Sequence, residues 1–210
     1  MKKLILCGCS LGESWMPYFD GKKRDNDSTP DHNYQLGHWK KVTRFQQAGG
    51  TQGLMLYRLL NHFLVNEIKD TTIMVQLTGY KRSTTVSDQI TNSDVTYQNN
   101  ITDNYEFIIC DQNNQSSGEA DTASLIQVLC MLSKLGANVY VFRGWPGVCK
   151  PKEWETTYTI LNDAGVITTE LDYLTLAHNS KIDDWIDDKH PGVRLGCIVF
   201  DNIWKELNAY

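Results

Sequence analysis

The 210 residues predict an α/β protein, a doubly wound three-layer α/β/α arrangement around a mainly parallel sheet. Three observations carry that reading. Leu4–Cys7 is all apolar and ends at Gly8, and Thr72–Leu77 is rich in apolar and β-branched side chains; both read as strands covered on two faces. Between such runs, apolar residues recur at the three- and four-residue spacing of amphipathic helices. Hydrophobic residues make up 41% of the chain and charged residues 21%, a globular composition that excludes disordered, collagen-like and disulfide-scaffold proteins. Strands alternating with helices favour a parallel sheet with helices on both sides.

Taken in order, Met1-Lys2-Lys3 before an apolar run has the outline of a signal peptide. The run stops at Cys7, too short for an h-region, and reads better as the first strand. Residues 20–33 are polar and turn-rich, with Gly21, Pro30 and a basic trio Lys22-Lys23-Arg24, and read as a surface loop. A second strand covers Val42–Gln46 and leads to Ala48-Gly49-Gly50. Leu54, Leu56, Tyr57, Leu59, Leu60, Phe63, Leu64 and Ile68 share helical spacing, so a helix is expected from about Thr51 to Lys69. Thr72–Leu77 is the third strand. From Ser83 to Asn104, 17 of 22 residues are Ser, Thr, Asn, Asp or Gln, and so polar a stretch reads as a long insertion or lid loop. Leu125, Val128, Leu129 and Leu132 mark a helix closed by Gly136 at its C′ position. Asn138–Arg143 is the fourth strand, Trp154–Ala164 a helix, and a last helix begins after Pro191. No repeat and no linker divides the chain, which reads as a single domain over residues 1–210 with the polar insertion at about 83–104.

The formal charge of −5 argues against a general nucleic-acid binder, and no apolar stretch reaches the ~20 residues of a membrane helix. The expected partners are therefore neither nucleic acid nor membrane. Six cysteines (Cys7, Cys9, Cys110, Cys130, Cys149, Cys197) contain no CxxC pair. They read as reduced, mostly buried thiols, with no metal site and no cofactor expected.

In open α/β sheets ligands bind beyond the carboxyl ends of the strands. Three segments follow proposed strands: Gly8-Cys9-Ser10-Leu11-Gly12, Ala48-Gly49-Gly50-Thr51 and Thr78-Gly79-Tyr80-Lys81-Arg82. Asp187-Asp188-Lys189-His190-Pro191 stands near the carboxyl end of the chain, and the four can converge at one edge of one sheet. Ser10 at a strand-to-helix turn is either a helix cap or an exposed nucleophile. Of five histidines, His190 stands out because Asp187 lies three residues before it, a spacing that sets a carboxylate beside the imidazole. Asp183, Asp184 and Asp188 read as a solvated acidic face. Gly8-x-x-x-Gly12 lacks the Lys-Ser/Thr ending of a P-loop and does not match GxGxxG, so a nucleotide-binding flavodoxin-like domain is the weakest of three readings.

Together these segments resemble the SGNH (GDSL-like) hydrolase family, and most closely its divergent members encoded by bacteriophages. Gly8-Cys9-Ser10 stands where the family has Gly-Asp-Ser, Gly49 (with Gly50 as the alternative) where it has an oxyanion-hole glycine, and Asp187 to Pro191 where it has Asp-x-x-His-Pro. The resemblance covers residues 3–207 and implies a flavodoxin-like SGNH fold. It also implies a catalytic set of Ser10, Asp187 and His190, with the N–H groups of Ser10 and Gly49 facing the oxyanion. The implied chemistry is cleavage of an ester, such as a carbohydrate O-acetyl group, through an acyl-serine. Two departures count against activity. Cys9 replaces the family aspartate, which usually braces the turn by hydrogen bonds, and the third block offers no asparagine, leaving Tyr80 or Arg82 as the third donor. A catalytically degenerate module, binding glycans or serving as a structural phage component, is the competing expectation. Trp15 and Trp145 are expected at the rim of the pocket, where flat rings stack on sugars, against the plainer reading of aromatic packing. Without an export signal the chain is placed in the cytoplasm, that of the host if phage-encoded, or in a virion.

Overall fold

Side chains alternate across the strands and so divide the core in two. The computed structural model describes residues 3–9, 11–20, 39, 41–46, 50–79, 83–87, 96–97, 107–111, 115–145, 151–187 and 190–208. Five parallel strands, β1 (Lys3–Gly8), β2 (Lys41–Gln46), β3 (Thr71–Leu77), β7 (Asn138–Arg143) and β8 (Ile167–Asp172), form one sheet in the order β2-β1-β3-β7-β8. This is the flavodoxin-like order of a doubly wound fold. On one face Ile5, Cys7, Ile73, Val75, Val139 and Val141 meet Met55 and Leu59 of α3 (Gln52–Val65), Leu125 and Leu129 of α4 (Gln115–Lys134), and Leu161 of α5 (Pro151–Asp163). On the other, Leu4, Leu6, Met74 and Phe142 meet α1 (Gly12–Trp15), α2 (Pro17–Asp20), α6 (Tyr173–Asn179) and α7 (Val193–Leu207). The period of two in the strands thus produces three layers.

Several boundaries have a visible cause. Thr51 caps α3, its Oγ1 accepting from Leu54 N at 3.0 Å. The apolar spacing through Ile68 suggests a longer helix than forms. α3 ends at Val65 because Asn66 is extended and turns its amide back onto the His62 carbonyl at 2.8 Å. Ile68 still packs against the core, which explains the misleading periodicity. α4 closes where Gly136 predicts. Gly136 has φ +96, its N–H donates to Ser133 O, and Ala137 N–H donates to Leu132 O, each at 3.0 Å. That is a Schellman motif. Gly165 (φ +81) closes α5 in the same way, with Val166 N donating to Leu161 O at 2.9 Å.

Elsewhere the structure departs from the sequence reading. Part of the polar insertion is sheet: β4 (Ser83–Ser87) and β5 (Thr96–Tyr97) both pair antiparallel with β6 (Phe107–Asp111), in the order β4-β6-β5. The Phe-Ile-Ile-Cys run of β6, downstream of the polar stretch, supplies the partner that the stretch lacks on its own. β8 and α6 escape the hydrophobic pattern because Ile-Thr-Thr-Glu-Leu-Asp is largely polar. Its threonines are nonetheless buried, since each hydroxyl finds an acceptor: Thr168 donates to Asn162 Oδ1 at 3.0 Å and Thr169 to Glu206. No described helix is long and apolar enough to cross a membrane.

Candidate active site

Because the five strands run parallel, their carboxyl ends share one edge. The described residues there are Cys9 and Leu11 after β1, Gly50 and Thr51 before α3, Thr78 and Gly79 after β3, Gly144 and Trp145 after β7, and Tyr173 after β8. Hydrogen bonds tie these ends together. Gly144 N–H donates to Leu77 O at 2.9 Å, Leu174 N–H to Gly144 O at 2.9 Å, and Gln52 Nε2 to Thr78 O at 2.6 Å.

The turn after β1 packs tightly. Gly12 N–H donates to Cys9 O at 2.9 Å and Ser14 N–H to Leu11 O at 3.1 Å, starting α1 at once. A Cβ on Gly8 would lie 3.0 Å from Gln76 Oε1 and 3.2 Å from Met16 Cε, so the side chains of Gln76 and Met16 pack closely over the strand end. Cys9 is buried, and its thiol lies 3.8 Å from Gln76 Oε1 as a weak donor. Position 9 is therefore tethered to the sheet, although a thiol tether is a weak one. Ser10, Gly49, Tyr80 and Arg82 lie outside the described residues.

Asp187 ends β9 (Trp185–Asp187) and His190 begins β10 (His190–Pro191), the two strands forming a short antiparallel pair. His190 Nδ1 stands 2.9 Å from both Asp187 oxygens, and the His190 backbone N–H donates to Oδ1 at 2.9 Å. A carboxylate can only accept, so the proton of the neutral ring resides on Nδ1 and the lone pair on Nε2. The side chains are 34% and 51% exposed for His190 and Asp187, which leaves the pair within reach of a solvent-borne substrate.

The neighbouring acid behaves otherwise than the sequence suggests. Asp184 is not part of a solvated face: its Oδ2 accepts from Leu195 N at 2.8 Å and its carbonyl from Gly192 N at 2.7 Å. Gly192 is the N-cap of α7 and has no side chain to offer, so Asp184 satisfies the third N–H of that helix from outside. This bond closes the loop that presents Asp187 and His190. Asp188 lies outside the described residues.

The aromatic expectations divide. Trp15 is fully buried (0% exposed), stacked on Phe200 at a centroid distance of 4.8 Å and edge-on to Phe142 at 5.2 Å. It is a core residue and not a pocket rim. Leu11, Trp15 and Phe19 follow helical i, i+4, i+8 spacing, the sequence signal for that burial. Trp145 is half-buried at the end of β7 and packs against both core clusters. His178 stacks on Trp185 at 4.7 Å and 23°. The thiols of Cys7, Cys9 and Cys197 are buried and that of Cys130 half-buried, all four unbridged.

Two glutamines were not foreseen. Gln52 and Gln76 are both fully buried, and Gln52 Oε1 and Gln76 Nε2 have no hydrogen-bond partner among the described residues. An amide within the otherwise buried Thr-Thr-Ile-Met-Val-Gln-Leu strand is the signal that points to Gln76, since a buried polar group without full pairing costs about 1–3 kcal/mol.

No family model matches this chain, and no curated protein does. Among solved structures, the crystal structure of TesA superposes with a TM-score of 0.54 over 99% of each chain at 14% sequence identity. TesA is of SGNH type. Sheet order, layers and this likeness agree that the chain adopts an SGNH-like α/β/α fold.

Proposed function

We propose that the protein is an SGNH-type serine hydrolase that cleaves a carboxylic ester through an acyl-serine at Ser10. The observation that carries this reading is the Asp187–His190 pair, whose geometry leaves the ring lone pair on Nε2 to act as the base. The likeness to TesA, an SGNH-type thioesterase/esterase, supports it at the level of fold.

The chemistry follows from the residues. His190 Nε2 takes the Ser10 hydroxyl proton as Oγ bonds to the ester carbonyl carbon. Asp187 holds the ring and stabilises its charged form. The N–H groups of Ser10 and Gly49, with Tyr80 or Arg82 as third donor, stabilise the oxyanion, and loss of one such donor typically costs about 10²–10³ in rate. Collapse breaks the bond to the alcohol, which leaves with the His190 proton. Water, deprotonated by the same nitrogen, then releases the acid and restores Ser10. Carbohydrate O-acetyl groups are the substrate class we favour, with the half-buried ring of Trp145 beside the strand ends as the stacking surface.

Labelling tests the reading. A fluorophosphonate probe is expected to modify Ser10 in the native protein, with the signal lost in Ser10→Ala and in His190→Gln. A native protein that stays unlabelled while a control serine esterase reacts would overturn it. The competing reading, a non-catalytic SGNH-like module that binds glycans or builds a phage particle, is favoured by Cys9 and by the absence of asparagine from the Thr78–Arg82 segment. Glycan binding without turnover would select it.

A further inference from the structure

Behind the turn that contains Ser10, three helices meet at one buried hydroxyl. Ser14 Oγ lies 2.6 Å from Leu11 O and 2.7 Å from Tyr173 Oη. The single Ser14 proton goes to the Leu11 carbonyl, so the Tyr173 phenol is the donor to Ser14. Tyr173 is fully buried, and that burial, before any other influence, raises its pKa far above the usual range and keeps the phenol a donor.

The phenol is held on both sides. Asp172 caps α6, its Oδ1 accepting from Thr175 N at 2.8 Å, and Leu174 N–H donates to Gly144 O at 2.9 Å, so the backbone around Tyr173 is pinned to the ends of β7 and β8. From α7, a Cβ on Gly196 would stand 2.3 Å from Ser14 O and 2.5 Å from Tyr173 Oη. Only glycine leaves room for the pair. Cys197 Sγ approaches Ser14 O at 3.8 Å on the same side. By contrast, the tether from β3 to position 9 is a thiol at 3.8 Å, a weak bond.

We infer that Tyr173 is a positioning residue for the nucleophile, holding the Cys9–Gly12 turn through Ser14 Oγ and the Leu11 carbonyl. The inference rests on the reading of Ser10 as nucleophile. Tyr173 touches no reacting atom. It prevents the turn from tilting off the base, and a misplacement of about 1 Å at a reacting group costs about 10²-fold in rate.

Hydrogen exchange and probe labelling of the full chain test this together, at a temperature well below unfolding for every variant. In Tyr173→Phe, the peptide spanning residues 7–16 is expected to exchange about tenfold faster while peptides from β3 and β7 are unchanged, and fluorophosphonate labelling of Ser10 slows about 10- to 100-fold with the probe's reversible affinity kept. Ser14→Ala is expected to reproduce both effects, and the double variant to be no slower than the worse single one. Unchanged exchange in residues 7–16, faster exchange throughout the chain, or faster local exchange with unchanged labelling would each overturn the proposal. A wild-type protein that takes no label removes the hydrolase reading instead, and the exchange comparison still decides whether Tyr173 holds the turn.

Discussion

Asp187 receives two bonds from one residue: the His190 backbone N–H and the His190 ring Nδ1 each reach its carboxylate at 2.9 Å. The first fixes the turn between β9 and β10, and the second fixes the ring on that turn. An i, i+3 spacing in a tight hairpin is what allows one carboxylate to do both.

Replacement of Asp187 separates geometry from charge. Asp187→Asn keeps an acceptor for the backbone N–H but weakens the hold on the Nδ1 tautomer. The rate of Ser10 labelling and of p-nitrophenyl acetate hydrolysis is expected to fall about 10³- to 10⁴-fold. The far-ultraviolet circular dichroism should stay unchanged, because the side chain is half exposed.

Asp184 acts on the same hairpin from beneath. Asp184→Ala leaves the Leu195 N–H of α7 without its carboxylate partner, and loss of such a cap costs about 0.5–2 kcal/mol. Chemical denaturation should show that loss. Asp184→Asn, which keeps an acceptor oxygen, should recover most of it.

Gly196→Ala places a methyl against backbone. The added carbon would meet Ser14 O at 2.3 Å and Ser14 C at 2.5 Å, and neither is the yielding end of a flexible side chain. Overpacking of this kind costs about 1–3 kcal/mol or more. Calorimetry is expected to show a lowered Tm, whereas Gly136→Ala, where no atom lies within 4 Å, loses stability only through its φ of +96.

The buried thiol of Cys7 sets an alkaline limit. Burial raises its pKa from 9.0 to about 12, with Arg58 acting weakly in the opposite direction. Between pH 9 and about 12 the unfolded chain releases this proton and the folded chain retains it. The folded state then binds more protons, so stability is complete below pH 9 and falls as pH rises through that window. Denaturant midpoints of wild type and Cys7→Ala measured across the window should converge as pH rises. At pH 8 native Cys7 should resist iodoacetamide and react only after unfolding.

Much of the fold was legible because it depends on patterns with a short range. The strands Lys3–Gly8, Lys41–Gln46, Thr71–Leu77 and Asn138–Arg143 stand out by apolar runs, and the end of α4 by a glycine whose positive φ the turn requires. β8 was illegible because its threonines are buried by acceptors on α5 and α7, Asn162 and Glu206, which no local window contains. The polar insertion hid β4 and β5 for the same reason, since their partner β6 lies beyond it. Of the site, Asp187 and His190 could be paired from spacing alone because the contact is three residues long. Ser10, Gly49, Tyr80 and Arg82 remain assignments of the sequence.

The sequence by itself determined what local physics dictates: which apolar, periodic segments are strands or helices, that both faces of the sheet are covered, and that an imidazole has a carboxylate at hand. Tertiary packing alone decided what depends on distant partners. It buried Trp15 under Phe142 and Phe200, turned Asp184 from a surface charge into a helix cap, and set the Tyr173 phenol on the Ser14 hydroxyl 159 positions away. Such contacts form only when the chain closes long loops around a shared core, and no spacing along the chain encodes which side chains then meet.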